Sequence, residues 1–197
     1  MRNFGRCHLF KIKRSYQNWF CICFTLLFVA GCSDQSPDFE TMVQNGRESD
    51  ETNNELFLGY ELGMDRETFR QMSWELNQQK KLTGLVKMEY VFDDLEDQAV
   101  MSYYPEFENN VITRIPIDVN YQAWSPWNEQ FSSDSLVIDL KDHFENEFST
   151  EFENVFIPYM NREGWVSVEG NRLIAITRKN DMLAFVEFVD LNAVDEL

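Results

Sequence analysis

The chain has 197 residues and carries 34 Asp and Glu against 17 Lys and Arg, a formal charge of −17 at neutral pH. Such a surface repels phosphate backbones and anionic head groups, which excludes nucleic-acid binding and electrostatic docking on lipid as leading functions; it equally serves to keep a protein soluble. Two histidines and four cysteines leave little for zinc or thiol chemistry, and the length is that of one domain plus a leader.

The leader comes first. Arg2, Arg6, Lys11, Lys13 and Arg14 form a basic start with no acidic residue, followed by a 12-residue apolar run from Trp19 to Ala30 and then Gly31-Cys32. At about 1.5 Å per residue that run covers about 18 Å as a helix, short of the ~30 Å core of a bilayer, so a permanent span is disfavoured. Val29-Ala30-Gly31-Cys32 resembles the lipobox of bacterial lipoprotein signal peptides. The resemblance implies a signal peptide over residues 1–31, cut before Cys32 by signal peptidase II, with Cys32 carrying the acyl chains (palmitate among them) that hold the protein to a membrane. An ordinary cleaved signal with an incidental Cys32 is the alternative. Ser33 stands where an Asp would retain the lipoprotein in the inner membrane of Gram-negative enterobacteria, so the resemblance points to the outer membrane, with the periplasmic or surface face left open.

Cys7, Cys21 and Cys23 leave with the leader, and so does His8. Cys32 is then the only cysteine and His143 the only histidine. With Cys32 acylated, no intramolecular disulfide, Cys nucleophile or thiolate metal site can be assembled. The mature chain keeps twelve Lys and Arg against all 34 acids, a formal charge of −22. Residues 32–54 are poor in apolar side chains and show no helical or strand period, which reads as a flexible acidic tether spanning ~25 Å.

From Glu55 to Leu197 the chain reads as a single α+β domain. Asp65 is the expected N-cap of a helix to about Gln79, with Phe69, Met72 and Leu76 on its inner face. Three strands follow, over 86–92, 99–104 and 115–121, where Ile115, Ile117, Val119 and Tyr121 alternate with Arg114, Pro116, Asp118 and Asn120. Pro116 has no N–H to give a ladder, so the third strand is expected at a sheet edge or bulge. Leu136, Val137, Leu140, Phe144 and Phe148 stripe a second helix over 135–148. Strands at about 155–159, 165–168, 173–178 and 183–189 close the chain, with Gly170-Asn171 as a two-residue hairpin and Asn180-Asp181 as a turn. The expected architecture is two helices packed on antiparallel sheet, an order that also admits two α-β-β-β halves.

Leu62-Gly63-Met64-Asp65-Arg66-Glu67-Thr68-Phe69 resembles the helix entry of the small lipoprotein of the outer-membrane barrel-assembly machine and of beta-lactamase-inhibitor-like domains. Phe69 stands where Val is usual and Glu67 comes one place early, so the resemblance implies a fold element and no functional residue. More broadly the chain is similar to short Gram-negative lipoproteins.

Catalytic patterns are missing from the sequence. It has no HExxH, no Gly-x-Ser-x-Gly, no Gly-x-Gly-x-x-Gly and no P-loop, so no metal or other cofactor is expected and His143 reads as a boundary residue of its helix. Asp93-Asp94-Leu95-Glu96-Asp97 is the densest acidic cluster, either a solvated hairpin turn or an oxygen-lined calcium site without EF-hand spacing. Tyr121, Trp124 and Trp127, around Ser125-Pro126, are the candidate binding residues: an aromatic platform for a sugar ring or a peptide, or a plug filling the core. Three functions follow. The first is a membrane-anchored, non-enzymatic binding or accessory module contacting an envelope protein or glycan; the second is a carbohydrate-binding lipoprotein. A hydrolase using two opposed carboxylates, one with a raised pKa, is the third.

Overall fold

The computed structural model describes residues 38–84, 87–92, 95, 98–195 and 197. Residues 1–37, with the expected leader and Cys32, and all four acids of the 93–97 cluster lie outside the described residues, as does Val86 of the first expected strand. The described part is an α+β fold: three α-helices and one antiparallel sheet of eight strands.

The helices are α1 (Phe39–Glu48), α2 (Arg66–Gln78) and α3 (Ser133–Phe148). The strands are β1 (Met88–Val91), β2 (Ala99–Tyr103), β3 (Glu106–Glu108), β4 (Val111–Tyr121), β5 (Glu153–Ile157), β6 (Arg162–Glu169), β7 (Arg172–Arg178) and β8 (Ala184–Asp190). They lie in the order β1-β2-β4-β8-β7-β6-β5, with short β3 pairing beside β2 on β4. One helix and four strands occur twice in succession, and the two meanders join where β4 pairs with β8. Each half thus holds four strands, one more than the α-β-β-β reading; the second half shows all four in sequence, and in the first the three-residue β3 is too short to show a period.

α1 corrects the tether. Residues 39–48 lie in the segment read as flexible, yet Asp38 caps this helix through Thr41 N–H, and Phe39 and Gly46 are buried. Phe39, Met42, Val43 and Gly46 are spaced i, i+3, i+4, i+7 and form one face on β5, β6 and β7. The stripe is weak in the sequence because one of its four members is a glycine and its neighbours are polar. That glycine is required: a Cβ on Gly46 would lie 2.5 Å from Val168 and 2.8 Å from the Gly170 carbonyl. Asn53 and Asn54 are also fixed, Asn53 N–H donating to Asn171 Oδ1 and Asn171 Nδ2 donating to Asn54 Oδ1.

The other two helices start and run close to expectation. Asp65 Oδ1 accepts from Glu67 and Thr68 N–H to cap α2, and Phe69 and Leu76 are buried with Met72 beside them. Gly63, at φ +77°, turns the chain into this cap while its N–H donates to Ile112 carbonyl, tying the entry to the start of β4. α3 buries Leu136, Val137, Leu140 and Phe144 and begins at Ser133, two residues earlier than expected, because Ser132 serves as N-cap.

Strand alternation splits the core in two. On one face Ala99, Met101, Ile115, Ile117, Val119, Ile174, Ile176, Val186 and Phe188 pack under α2 and α3. On the other, Val155, Ile157, Val166, Leu173, Ala175 and Val189 pack under α1 and the C-terminal residues Leu191 and Val194. Beyond α1 that second face shows the polar, half-buried alternates of the first meander, Ser102, Asp118 and Asn120.

Pro116 lies at the centre of the sheet, opposite Glu187 of β8, and not at an edge. The ladder on its other side is interrupted there. β2 partners stop at Ile117 and β3 partners begin at Arg114, so no residue of either strand is registered against Pro116. The gap between two short strands accommodates the missing donor.

The sheet has two distinct ends. One carries the 122–132 loop between β4 and α3, the turn at 158–161 and the turn at 179–183. The other carries the β3–β4 turn and the Gly170-Asn171 hairpin. α1 runs between them: Phe39 lies against Tyr159 at the first end, with ring centroids 5.7 Å apart, and Gly46 reaches Gly170 at the second.

Candidate functional site

The aromatic loop separates into one anchor, one prop and one exposed ring. Tyr121 continues the inward phase of β4, is 3% exposed, and donates its hydroxyl to Asp139 of α3. Its ring meets Phe131 at 5.6 Å. Tyr121 is therefore a core residue tying β4 to α3, and it presents no surface to a ligand. Trp124 is half-buried against the same core and donates Nε1–H to Asp181 carbonyl at 3.1 Å. Ser133 N–H donates to that carbonyl as well, so Trp124, α3 and the β7–β8 turn share one acceptor.

Trp127 is the outward residue. It is 85% exposed, the most open of the large apolar side chains described. A turn closed by Asn128 N–H on Ser125 carbonyl presents it, with exposed Pro126 before it. The two indoles thus play different parts. Trp124 fixes the loop to the scaffold, and Trp127 is held out from it on a base that does not have to order on contact.

A buried polar cluster answers the search for opposed carboxylates, and sequence reading missed it. Glu187 of β8 is 4% exposed. Tyr159 Oη donates to its Oε2 at 2.8 Å and Arg114 Nη1 to its Oε1 at 3.3 Å, while Arg114 Nε lies 3.9 Å from Glu106. Burial pushes the Glu187 carboxyl above its ordinary range against the opposing pull of Tyr159 and Arg114. Both Glu187 oxygens are occupied, and Arg114 stands between the two acids. The arrangement holds the 158–160 turn to the sheet centre; Glu187 itself keeps no solvent-facing oxygen, while Glu106 is exposed. Polar residues inside two long apolar strands, Glu187 opposite Pro116 and Arg114 two places before that proline, are the signal that would have found it.

A second such cluster lies at the far end. Arg172 is 1% exposed, with its guanidinium 4.3 Å over the Phe148 ring; Nη2 donates to Glu169 and Nη1 to Glu55 carbonyl. Beside it runs a groove of about 800 Å³ lined by Met42, Asn45, Ser49, Asn53, Val168 and Glu169. Gly170 forms part of its wall, at φ +55° and with room for no Cβ, since Glu51 carbonyl would lie 2.5 Å away.

His143 is half-buried on α3. Its Nε2 lies 3.2 Å from Glu147, and its ring sits between Phe92 and Phe144 with centroids 5.0 and 5.1 Å away. Among the described residues no three His, Cys, Asp or Glu side chains converge as a metal set would, and no helix is long and apolar enough to cross a membrane.

No family model, curated protein or solved structure matches the chain. The resemblance at residues 62–69 therefore rests on the helix entry alone, and the functional reading rests on the site.

Proposed function

We propose that this chain is a lipid-anchored protein of the cell envelope, held by acyl chains on Cys32, that works by contact and performs no chemistry. The observation that carries the reading is the division of labour in the 122–132 loop: Tyr121 and Trp124 fixed, Trp127 open. A large apolar ring at 85% exposure, on a base secured by core packing, is how a rigid contact residue is built. The buried acid with a raised pKa, Glu187, is already held by Tyr159 and Arg114.

A two-indole sugar platform finds less support, since only one of the two rings is open to stack on a pyranose.

A photo-crosslinking residue at position 127 tests the reading in living cells. The expected result is adducts to another envelope component, with none from the same residue at Glu108, on the opposite end of the sheet. Absence of adducts at 127, or reproducible hydrolysis of a glycan or phosphoester lost with a particular carboxylate, would overturn it.

A further inference from the structure

We infer that the free edge of β5 is a docking site for an extended, Lys- or Arg-bearing segment of a partner protein, which adds to the sheet as its next strand. The inference goes beyond the contact reading above and uses neither Trp127 nor the lipid on Cys32.

The two outermost strands of the sheet are β1 and β5. Alternate residues of an edge strand point N–H and C=O away from the sheet, and those groups have to find water, a covering segment or another strand. β1 is covered. Thr83 and Glu89 exchange N–H to carbonyl bonds of 2.9 Å, which lays the chain after α2 along its outer side. Nothing among the described residues does this for β5. Its strand partners are all in β6, and no bridge or turn hydrogen bond reaches Glu153–Ile157 from outside.

The usual protections of an edge are missing as well. β5 keeps unbroken register with β6 over five residues, contains no proline, lysine or bulge, and exposes Phe156 at 52%. Val155 and Ile157 are buried under α1, so Asn154 and Phe156 lie on the opposite face. Between the strand and the start of α1 runs a groove of about 360 Å³, whose lining includes Asp38, Glu40, Asn154, Val155 and Phe156. A backbone laid along β5 therefore meets a ladder to complete, a groove beside α1 for one phase of its side chains, and an apolar ring for the other.

Charge selects the occupant. Glu40, Glu151 and Glu163 are exposed and Glu153 is half-buried, and none of the four has an ion-pair partner among the described residues. Glu163 stands opposite Phe156 in the β5–β6 register. Arg162, opposite Ile157, is committed to the carbonyls of Arg178 and Met160. Unpaired acids around an open ladder attract a cationic strand, and they repel a second copy of this chain, whose own β5 would bring the same acids. The fitting sequence alternates Lys or Arg with an apolar residue, the strand period that sets one phase beside Glu40 and the other beside Phe156.

Hydrogen exchange and fluorescence anisotropy test this on residues 33–197, which contain every described element, with two fluorescein-labelled peptides of equal length and charge: Lys-Val-Lys-Val-Lys-Val-Lys, and the same peptide with each Val replaced by Pro. The expected result is slowed amide exchange within 153–157 on adding the Lys-Val peptide, and no slowing with the Lys-Pro peptide, whose prolines hold it in polyproline II and out of a ladder. Glu40→Lys combined with Glu163→Lys, both at exposed positions, weakens Lys-Val binding by about tenfold while far-UV circular dichroism stays unchanged. If that variant misfolds, the two-peptide comparison on the unaltered chain decides. Equal binding of the two peptides would show attraction by charge alone and overturn the inference, as would Lys-Val binding that leaves exchange at 153–157 untouched, or no binding. Protection of 153–157 that rises with protein concentration in the absence of peptide would put a second copy on the edge and overturn it too.

Discussion

Individual residues within 122–132 answer to different forces, and substitution separates them. Trp127→Ala removes a side chain that touches almost nothing in its own chain, so the expected change in stability is within about 0.5 kcal/mol. Trp124→Ala removes a half-buried ring and the donor to Asp181 carbonyl, for an expected loss of about 1–3 kcal/mol. Urea unfolding followed by circular dichroism measures both; equal losses would place Trp127 in the core. Glu187 behaves differently because burial raises its pKa. Its neutral form fits the folded state better than its charged form, so its contribution is complete below the carboxylate range and is lost as pH rises through the raised value. Glu187→Gln is therefore expected to raise the unfolding midpoint at neutral pH and to lose that advantage below about pH 4, where both side chains are neutral. A destabilised Gln variant at neutral pH would show that the Arg114 and Tyr159 contacts outweigh burial.

Among the elements, the ones that declared themselves in sequence were those with long uninterrupted periods. α2 and α3 have apolar stripes and side-chain caps, and β4 alternates from Arg114 to Tyr121, which also foretold that Tyr121 points inward. That alternation was in conflict with reading Tyr121 as a binding residue, and the core took precedence. α1 was hidden because its close approach to the β6–β7 hairpin selects a glycine at the centre of its inner face. Pro116 misled because a proline marks one missing donor, and two short partner strands can leave a central strand with that vacancy. The spacing of Trp124 and Trp127 could not say which ring is open, since that depends on Asp181, 54 positions beyond Trp127 in the chain. For α1 the expectation is definite: Gly46→Val forces it off the sheet, and native-state hydrogen exchange over 42–48 rises toward that of an unfolded segment. Unchanged protection in that variant would mean the helix does not rest on this contact.

At the scale of the whole molecule, two helix-plus-four-strand units share one sheet, and each sheet face has its own core. α1 packs on the sheet through Phe39 and Gly46, so the domain begins at Asp38 and not at Glu55. A formal charge of −22 beyond residue 31 makes adsorption by charge a poor means of holding this protein to an anionic surface, and on the proposed reading acyl chains on Cys32 supply the attachment. The central claim is thus the lipid on Cys32, and metabolic labelling with an alkyne fatty acid tests it most directly. The expected result is label in the wild-type protein and none in Cys32→Ala, which also fails to mature. Label retained in Cys32→Ala, or absent from the wild type, would contradict it.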